Sequence, residues 1–495
     1  MKEEAASYRI LTLNTVAFTV CFAAWMLNGV LVTFLVENGL FEWDAAQMGT
    51  LIGIPVLTGS LMRLPVGMLT DKFGGRPVYT LLMLFSAIPM FYLSRVDSYT
   101  GYMIASLGFG MTGTSFAVGI AFSSVWFHRE HQGTALGIFG AGNAGAGLTA
   151  LGAPVLLRSL TDGGQNLEGW RTLPVYYAVM LVVMAIVFFI GTKNKKPEHA
   201  AERTFFQMLS PLKNIRVWRF GLYYFLVFGG FVALAQWLVP YYVNVYSMSI
   251  VAAGLLTSIF SLPSGLIRAL GGYMSDKLGP RTVMYWTLGI IGACSFALFF
   301  PKMEIESPGR GIMARKSGTV TLVTESEIRV GDDVYRLSPR SETVDETGTH
   351  LLPVIRSWHV TEVEEGQSIG RRHLLARGVT NIFFQANVWV FTIFVFIIGI
   401  AMGIGKAGVY KYIPEYFPTE VGVVGGMVGV LGGLGGFFGP MIFGYLLKGI
   451  GLWTTTWMFF FLLSMACIIW LHITVLRLSK QETHIEAPER VAASR

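Results

Sequence analysis

The chain has 495 residues, of which 53% are hydrophobic and 14% charged, with 58 glycines and a mean hydropathy of +0.56. A soluble domain carries about a quarter charged residues, so the composition argues against a soluble enzyme and for a helical membrane protein. The net charge of +7 fits Lys and Arg gathered on the cytoplasmic side of a membrane; no basic patch with interleaved aromatics points to nucleic acid.

Twelve apolar spans are predicted, at 10–36, 46–70, 78–95, 101–126, 134–158, 173–192, 220–245, 250–274, 282–300, 382–404, 421–446 and 452–476. Segments of that length cross lipid as helices, because the backbone must satisfy its own hydrogen bonds there. The first span is too long for the apolar region of a cleaved signal peptide and is expected to remain as a helix. Cys21, Cys294 and Cys467 each fall inside an apolar run and read as packing residues, not as a disulfide or a metal site.

Basic residues set the orientation. Lys72 and Arg76, Arg129, the run from Lys193 to Arg219, and Lys277 and Arg281 occupy alternate loops, whereas 37–46 and 244–250 carry none. Both termini are therefore expected in the cytoplasm of a multi-pass inner-membrane protein. The predicted organisation is a six-helix half at 1–192, a cytoplasmic linker at 193–217, helices seven to nine at 218–300, a soluble insertion at 301–381, helices ten to twelve at 382–478, and a cytoplasmic tail at 479–495.

The second span closes with SLMRLPVGMLTDKFGGR at 60–76, and the eighth with GLIRALGGYMSDKLGPR at 265–281. The copies align without gaps, with identities that include Arg63/Arg268, Gly67/Gly272, Asp71/Asp276, Lys72/Lys277 and Arg76/Arg281. Two parallel six-helix repeats produce this pattern. Asp71, Arg76, Asp276 and Arg281 lie at cytoplasmic helix ends, where a carboxylate can cap a neighbouring helix or pair with a base, and such contacts can latch one conformation.

Arg63 and Arg268 each precede the aspartate of their motif by eight residues, about 12 Å along a helix. The hydrocarbon core is about 30 Å thick, so both lie near its middle, at a cost of at least about 2.5–3.5 kcal/mol each. No Asp or Glu stands mid-span to neutralise them. Two guanidinium groups then face one central cavity, and the anion they lack is read as the transported one. The planar fork of donors suits a planar oxyanion. A purely structural pair bonded to helix carbonyls is the alternative.

Between these motifs, His128 and His131 flank Arg129 and Glu130 in a loop and read as solvated residues. No Gly-Lys-Ser/Thr loop occurs, so ATP is not expected to drive the protein. Spans five and eleven are dense in glycine: GIFGAGNAGAGLTALGAP at 137–154 and GGMVGVLGGLGGFFGP at 425–440. Gly142, Gly145, Gly432, Gly433 and Gly436 allow backbones to approach a small ligand or to slide past each other; tight helix packing alone is the simpler account. Aligning Pro154 with Pro440 requires a longer offset than the arginine repeat, and the polar residues 301–381, holding 12 of the 30 acids, supply the excess. There, runs at 319–323, 327–330 and 334–337 around Gly331-Asp332-Asp333 predict a β-hairpin, with disorder as the alternative.

Residues 67–76 and 272–281 resemble the loop motif of the major facilitator superfamily, and 141–147 with 432–440 resemble the two signature helices of its nitrate/nitrite porter family. The resemblance covers the chain outside 301–381. It implies a twelve-helix, all-α membrane fold in two pseudo-symmetric halves, working by alternating access on a small inorganic anion, nitrate or nitrite. It implies that the anion sits between Arg63 and Arg268 with Asn143 nearby, and that Phe116, Tyr224 and Phe228 wall the site. Residues 405–414, with Lys406, resemble the proton-symporting branch, which makes Lys406 a candidate proton carrier. Nitrate/proton symport by a monomer without cofactor or metal is the reading carried forward. Nitrate/nitrite exchange, transport of a small carboxylate, and a receptor working through the insertion remain alternatives.

Overall fold

The computed structural model describes residues 2–127, 129–196, 209–299, 303–340, 354–384, 387–417 and 421–493; the linker at 197–208, His128 and the side chains of 129–134 lie outside these residues. Among the described residues, twelve helical rods follow one another. They are α1 (2–37), α2 (Ala45–Phe73), α3 (Gly75–Leu93), α4 (Tyr99–Ser124), α5 (129–160), α6 (Thr172–Gly191), α7 (Ile215–Tyr246), α8 (250–278), α9 (Pro280–Ala297), α10 (Val388–Tyr416), α11 (Val421–Ile450) and α12 (Thr455–Ala493). Nine are long and apolar enough on their own to cross a membrane, and α8, bent by 46°, makes a tenth. The remaining two, α5 and α9, are diluted by glycines and by Pro280 and Arg281. The tenth rod starts at Val388, later than the expected 382, because the apolar run Leu374–Phe384 is a strand.

Several rods are interrupted near their middles. The α2 rod breaks at Met62 and α8 at Ile267, the residues directly before Arg63 and Arg268. A cause is visible in α2: Pro65 has no N–H to give to the carbonyl of Leu61. Short 3-10 segments interrupt α4 at Gly110–Thr114 and α5 at Ala141–Ala144, and a π turn interrupts α7 at Phe225–Gly229. Broken helices are tolerated in a membrane where neighbouring groups satisfy the freed backbone. Pro55, inside α2, leaves the Leu51 carbonyl without its helical partner, and the Asn28 amide of α1 donates to it at 2.7 Å. The repeat extends to the backbone: Gly74 and Gly279 end their helices at φ +87° and +79°, a region that glycine enters without steric cost.

The halves meet through α2 against α11 and α5 against α8. Along the first pair, a Cβ on Gly49, Gly53 or Gly444 would overlap the backbone of Pro440, Phe437 or Ala45. Along the second, Gly254 meets Ala150 and Gly265 meets Ala144 in the same way. At the start of α2, Asp44 caps the helix, accepting from the Gln47 N–H at 2.9 Å, and pairs with Lys448 of α11 at 2.8 Å. That lysine and the capping bonds hold the Asp44 carboxyl below the usual carboxylate range. Nearby, Asn244 of α7 donates to Glu37 of α1. The halves are thus packed together at the end of the molecule remote from Asp71.

The insertion forms its own compact unit. Strand β1 (Met303–Met313) pairs with β7 (Leu374–Phe384), which pairs with β5 (Val354–Thr361), all antiparallel. A second sheet runs β4 (Asp333–Arg336), β3 (Glu327–Val330), β2 (Gly318–Val323) and β6 (Ser368–Ile369). The expected hairpin is present: Val330 faces Asp333, leaving Gly331 and Asp332 in the turn, with Gly331 at φ +58°. Val320, Ile328, Tyr335, Leu337 and Leu375 close a small core. Residues 341–353 lie outside the described residues. Ile328 is fully buried, so Ile328→Ala is expected to cost this unit about 2–5 kcal/mol, measured as faster proteolytic cutting between 303 and 384 with the helical rods left intact.

Candidate functional site

The two motif arginines converge on one aromatic ring. The guanidinium carbons of Arg63 and Arg268 each lie 5.4 Å from the centre of Phe116. Arg63 also lies 5.2 Å from Phe228 and 5.8 Å from Trp25, and Arg268 lies 5.6 Å from Tyr410. Each contact is within the range in which a ring face attracts a cation, worth about 0.5–2 kcal/mol. Phe228 stacks on Tyr224 at 5.0 Å, with planes 9° apart, and Tyr224 meets Tyr410 edge to face at 5.0 Å. The π turn at Phe225–Gly229 carries Phe228 and directly follows Tyr224, and Gly229 there packs on the bare backbone of Gly432 and Gly435.

Arg63 is 3% exposed. Its Nη1 donates to the carbonyl of Gly429, in α11 of the opposite half, at 2.8 Å. The structural alternative, arginine bonded to a helix carbonyl, is therefore realised in part. The Nε and Nη2 groups have no hydrogen-bond partner among the described residues, and neither has the buried Nη1 of Arg268. Among the described residues neither arginine has an ion-pair partner, and the free donors lie among the rings of Phe116, Phe228, Tyr224 and Tyr410. Nε and Nη2 of Arg63 form a parallel fork whose geometry suits two oxygens.

Asn143 is fully buried in the 3-10 segment of α5, and its amide donates to Gly140 at 2.9 Å in its own helix. Gly140 approaches the Arg268 side chain, and Gly265, three residues before Arg268, packs on the backbone of Asn143 and Ala144. Asn143 thus borders the Arg268 side of the site, its own N–H turned to backbone. The five signature glycines are all close contacts. Gly142 meets Phe18, Gly145 the backbone of Thr19, Gly432 the ring of Tyr224, Gly433 the Ser60 hydroxyl, and Gly436 Val232. Two of these, Gly432 and Gly433, touch side chains of the site itself.

Lys406 is fully buried. Its Nζ donates to Ser264 Oγ at 3.4 Å and lies 3.2 Å above the ring of Phe231. Ser264 stands one helical turn before Arg268, and Tyr410 one turn after Lys406, so this amine adjoins the Arg268 side of the site. At the ends of α2 and α8 the motif residues make contacts within their own halves. Arg76 donates to the Phe189 carbonyl at 2.9 Å and covers that ring at 4.0 Å. Arg281 donates to the Tyr416 hydroxyl at 3.3 Å, and Asp276 pairs with Lys411 of α10. Asp71 is exposed and without an ion pair among the described residues.

Trp25, Ser60, Phe231, Ser264 and Tyr410 were not expected at the site. For Tyr410 a signal existed, its place one turn from Lys406; for the others the sequence offers none, since a lone aromatic or serine in an apolar span is ordinary. Among the described residues no group of His, Cys, Asp and Glu could hold a metal ion.

The family model for the Major Facilitator Superfamily matches residues 13–309 and 373–494. A Thermus thermophilus protein named "Probable nitrate/nitrite antiporter NarK1" is 40% identical over 97% of this chain and 94% of its own length. The "Nitrite extrusion protein" of Bacillus subtilis is 23% identical over 96% of both chains. Among solved structures, a bacterial homologue of the lysosomal transporter Spinster, inward-facing and unoccupied, superposes with a TM-score of 0.59 at 15% identity, over 94% of this chain and 95% of that one. The nucleoside transporter NupG gives 0.60 at 13% identity, over 94% and 99%. These two likenesses concern the fold.

Because a Cβ on Gly432 would overlap the Tyr224 ring, Gly432→Ala is expected to push Tyr224 off Phe228. Substrate uptake by the reconstituted variant should fall at least about tenfold, a barrier change near 1.4 kcal/mol, with the amount of protein in the membrane unchanged.

Proposed function

The chain belongs to the Major Facilitator Superfamily, and within it we propose a secondary transporter that moves nitrate or nitrite across the cell membrane by alternating access. The observation that carries the cargo assignment is the set of unpartnered buried donors on Arg63 and Arg268 around the Phe116 ring. A monovalent planar oxyanion matches them in charge, shape and size. A carboxylate would need room for its carbon chain among Phe116, Phe228 and Tyr224. The name of the Thermus thermophilus relative, which is similar over nearly the whole chain, supports the same cargo.

The alternation follows from the contacts. With both termini in the cytoplasm, as the basic loops indicate, the end joined by Asp44 with Lys448 and Glu37 with Asn244 is the extracytoplasmic one, and the conformation described is closed to the outside. Arg63 belongs to one half, and its Nη1 holds Gly429 of the other. An anion on the free side of the same guanidinium is therefore felt by both halves, and its binding biases their rocking.

Coupling to protons is assigned to Lys406. It adjoins the Arg268 side of the site with a hydroxyl and a ring face for company. An anion bound at the arginines stabilises the charged lysine by Coulomb attraction, and by reciprocity a protonated Lys406 strengthens anion binding. Nitrate entering with one proton is electroneutral. Exchange of nitrate for nitrite is the second reading, favoured by the word antiporter in the name of the Thermus relative.

Arg63→Lys and Arg268→Lys are each expected to lose most nitrate uptake while remaining folded, since lysine lacks the planar fork; near-normal nitrate affinity in either variant, measured by calorimetry, would sink the two-arginine site. For coupling, uptake into proteoliposomes should rise with an inward proton gradient and need no internal nitrite, and Lys406→Met should impair uptake more than nitrate binding. Uptake indifferent to the gradient but accelerated by internal nitrite would assign exchange instead.

A further inference from the structure

Ser60 stands one turn before Arg63 in α2. It is fully buried, and its hydroxyl has no hydrogen-bond partner among the described residues. Several hydroxyls in these rods bond the carbonyl one turn back, as Thr50 does to Ala46, Thr70 to Val66, Ser261 to Thr257 and Ser275 to Gly271. Ser60 does not, and a buried hydroxyl without a partner is destabilising. Ser86, Ser115 and Ser295 share with Ser60 the lack of a partner, but none of these three stands one turn from a motif arginine. The surroundings of Ser60 indicate where it is directed. A Cβ placed on Gly433 would overlap the Ser60 hydroxyl and would stand 3.4 Å from Nη1 of Arg63. Hydroxyl, guanidinium and the bare backbone of Gly433 therefore meet at one place, and only a residue without a side chain fits there.

We propose that Ser60 is a specificity-determining residue of the anion site, its hydroxyl donating to an oxygen of the anion held by Arg63 and Arg268. The inference rests on the reading of the cargo as nitrate or nitrite. Arg63, with Nη1 tied to Gly429, presents Nε and Nη2 as its fork, and Arg268 approaches Phe116 as well. Nitrite has two oxygens, and two guanidinium groups engage both. Nitrate has a third, and a neutral donor beside Arg63 gives that oxygen a partner without adding charge. Ser60 thus favours nitrate over nitrite, because a site built around a particular hydrogen bond rejects the analogue that leaves the donor unpaired.

The test measures nitrate and nitrite affinity on the same purified full-length protein, for wild type, Ser60→Ala and Ser60→Cys, with a thermal melt of each to check folding. Removal of the hydroxyl is expected to weaken nitrate about tenfold, the scale of one hydrogen bond to a charged group, and nitrite much less, so that the ratio of the two affinities falls toward one. The thiol, a weak donor of similar size, should follow the alanine variant in that ratio. Unchanged nitrate affinity in both variants, or equal losses for the two anions, would overturn the role of Ser60 while leaving the two-arginine site standing. A wild-type protein that binds neither anion would overturn the cargo assignment and this inference together.

Discussion

The helical unit is arranged around two guanidinium groups that have no carboxylate partner among the described residues. Placing one such group at mid-depth costs at least about 2.5–3.5 kcal/mol, and this chain does so twice. The offset comes from several weak sources. The rings of Trp25, Phe116, Phe228 and Tyr410 stand within 6 Å of the two charges, and one carbonyl, that of Gly429, accepts from Arg63. None of these neutralises the charge. The charge left over is what the proposed anion cargo would meet.

That requirement explains the irregular backbone. Rods α2 and α8 break at the residue before each arginine; the 3-10 segment of α5 holds Asn143, the π segment of α7 holds Phe228 and directly follows Tyr224, and the 3-10 segment of α4 ends two residues before Phe116. A regular helix directs each side chain by its period alone; a break re-aims the side chain and frees backbone groups. The glycines serve the same end. At Gly432 and Gly433 the lost side chains make room for Tyr224, Ser60 and Arg63, while Gly49, Gly53 and Gly254 let the halves touch backbone to backbone. The two accounts of the glycine-rich helices, packing and site, are one account.

The Asp44–Lys448 pair and the glycine contacts of α2 with α11 close one end of the molecule without cementing it. The pair is half-exposed, and exposed ion pairs are worth little; backbone contacts of this kind slide as readily as they pack. A transporter needs a closed state that opens, and weak polar ties over smooth glycine surfaces supply one. The β unit at Met303–Phe384 has a core of its own and interrupts the second repeat after the copy of residues 60–76 at 265–281 is complete.

Much was legible in the sequence because the information was local or repeated. Span length and hydropathy gave the helices, and the copy of residues 60–76 at 265–281 gave the halves and the matched arginines. The turn at Gly331-Asp332 gave the β-hairpin, since few residues accept its backbone angles. The strand Leu374–Phe384 was misjudged at its end, where an apolar Ile-Phe-Phe run serves a sheet as well as a span. Phe116, Tyr224 and Phe228 rested on resemblance, because an aromatic in an apolar helix has the same composition whether it faces lipid or a charge. Only tertiary structure decided that Arg63 reaches Gly429 in the other half, that Lys406 lies on Phe231 and Ser264, and that the Ser60 hydroxyl packs on Gly433 of the other half. Each depends on which helices adjoin and at what rotation, and those are set by packing between residues far apart in the chain, where no local pattern records them.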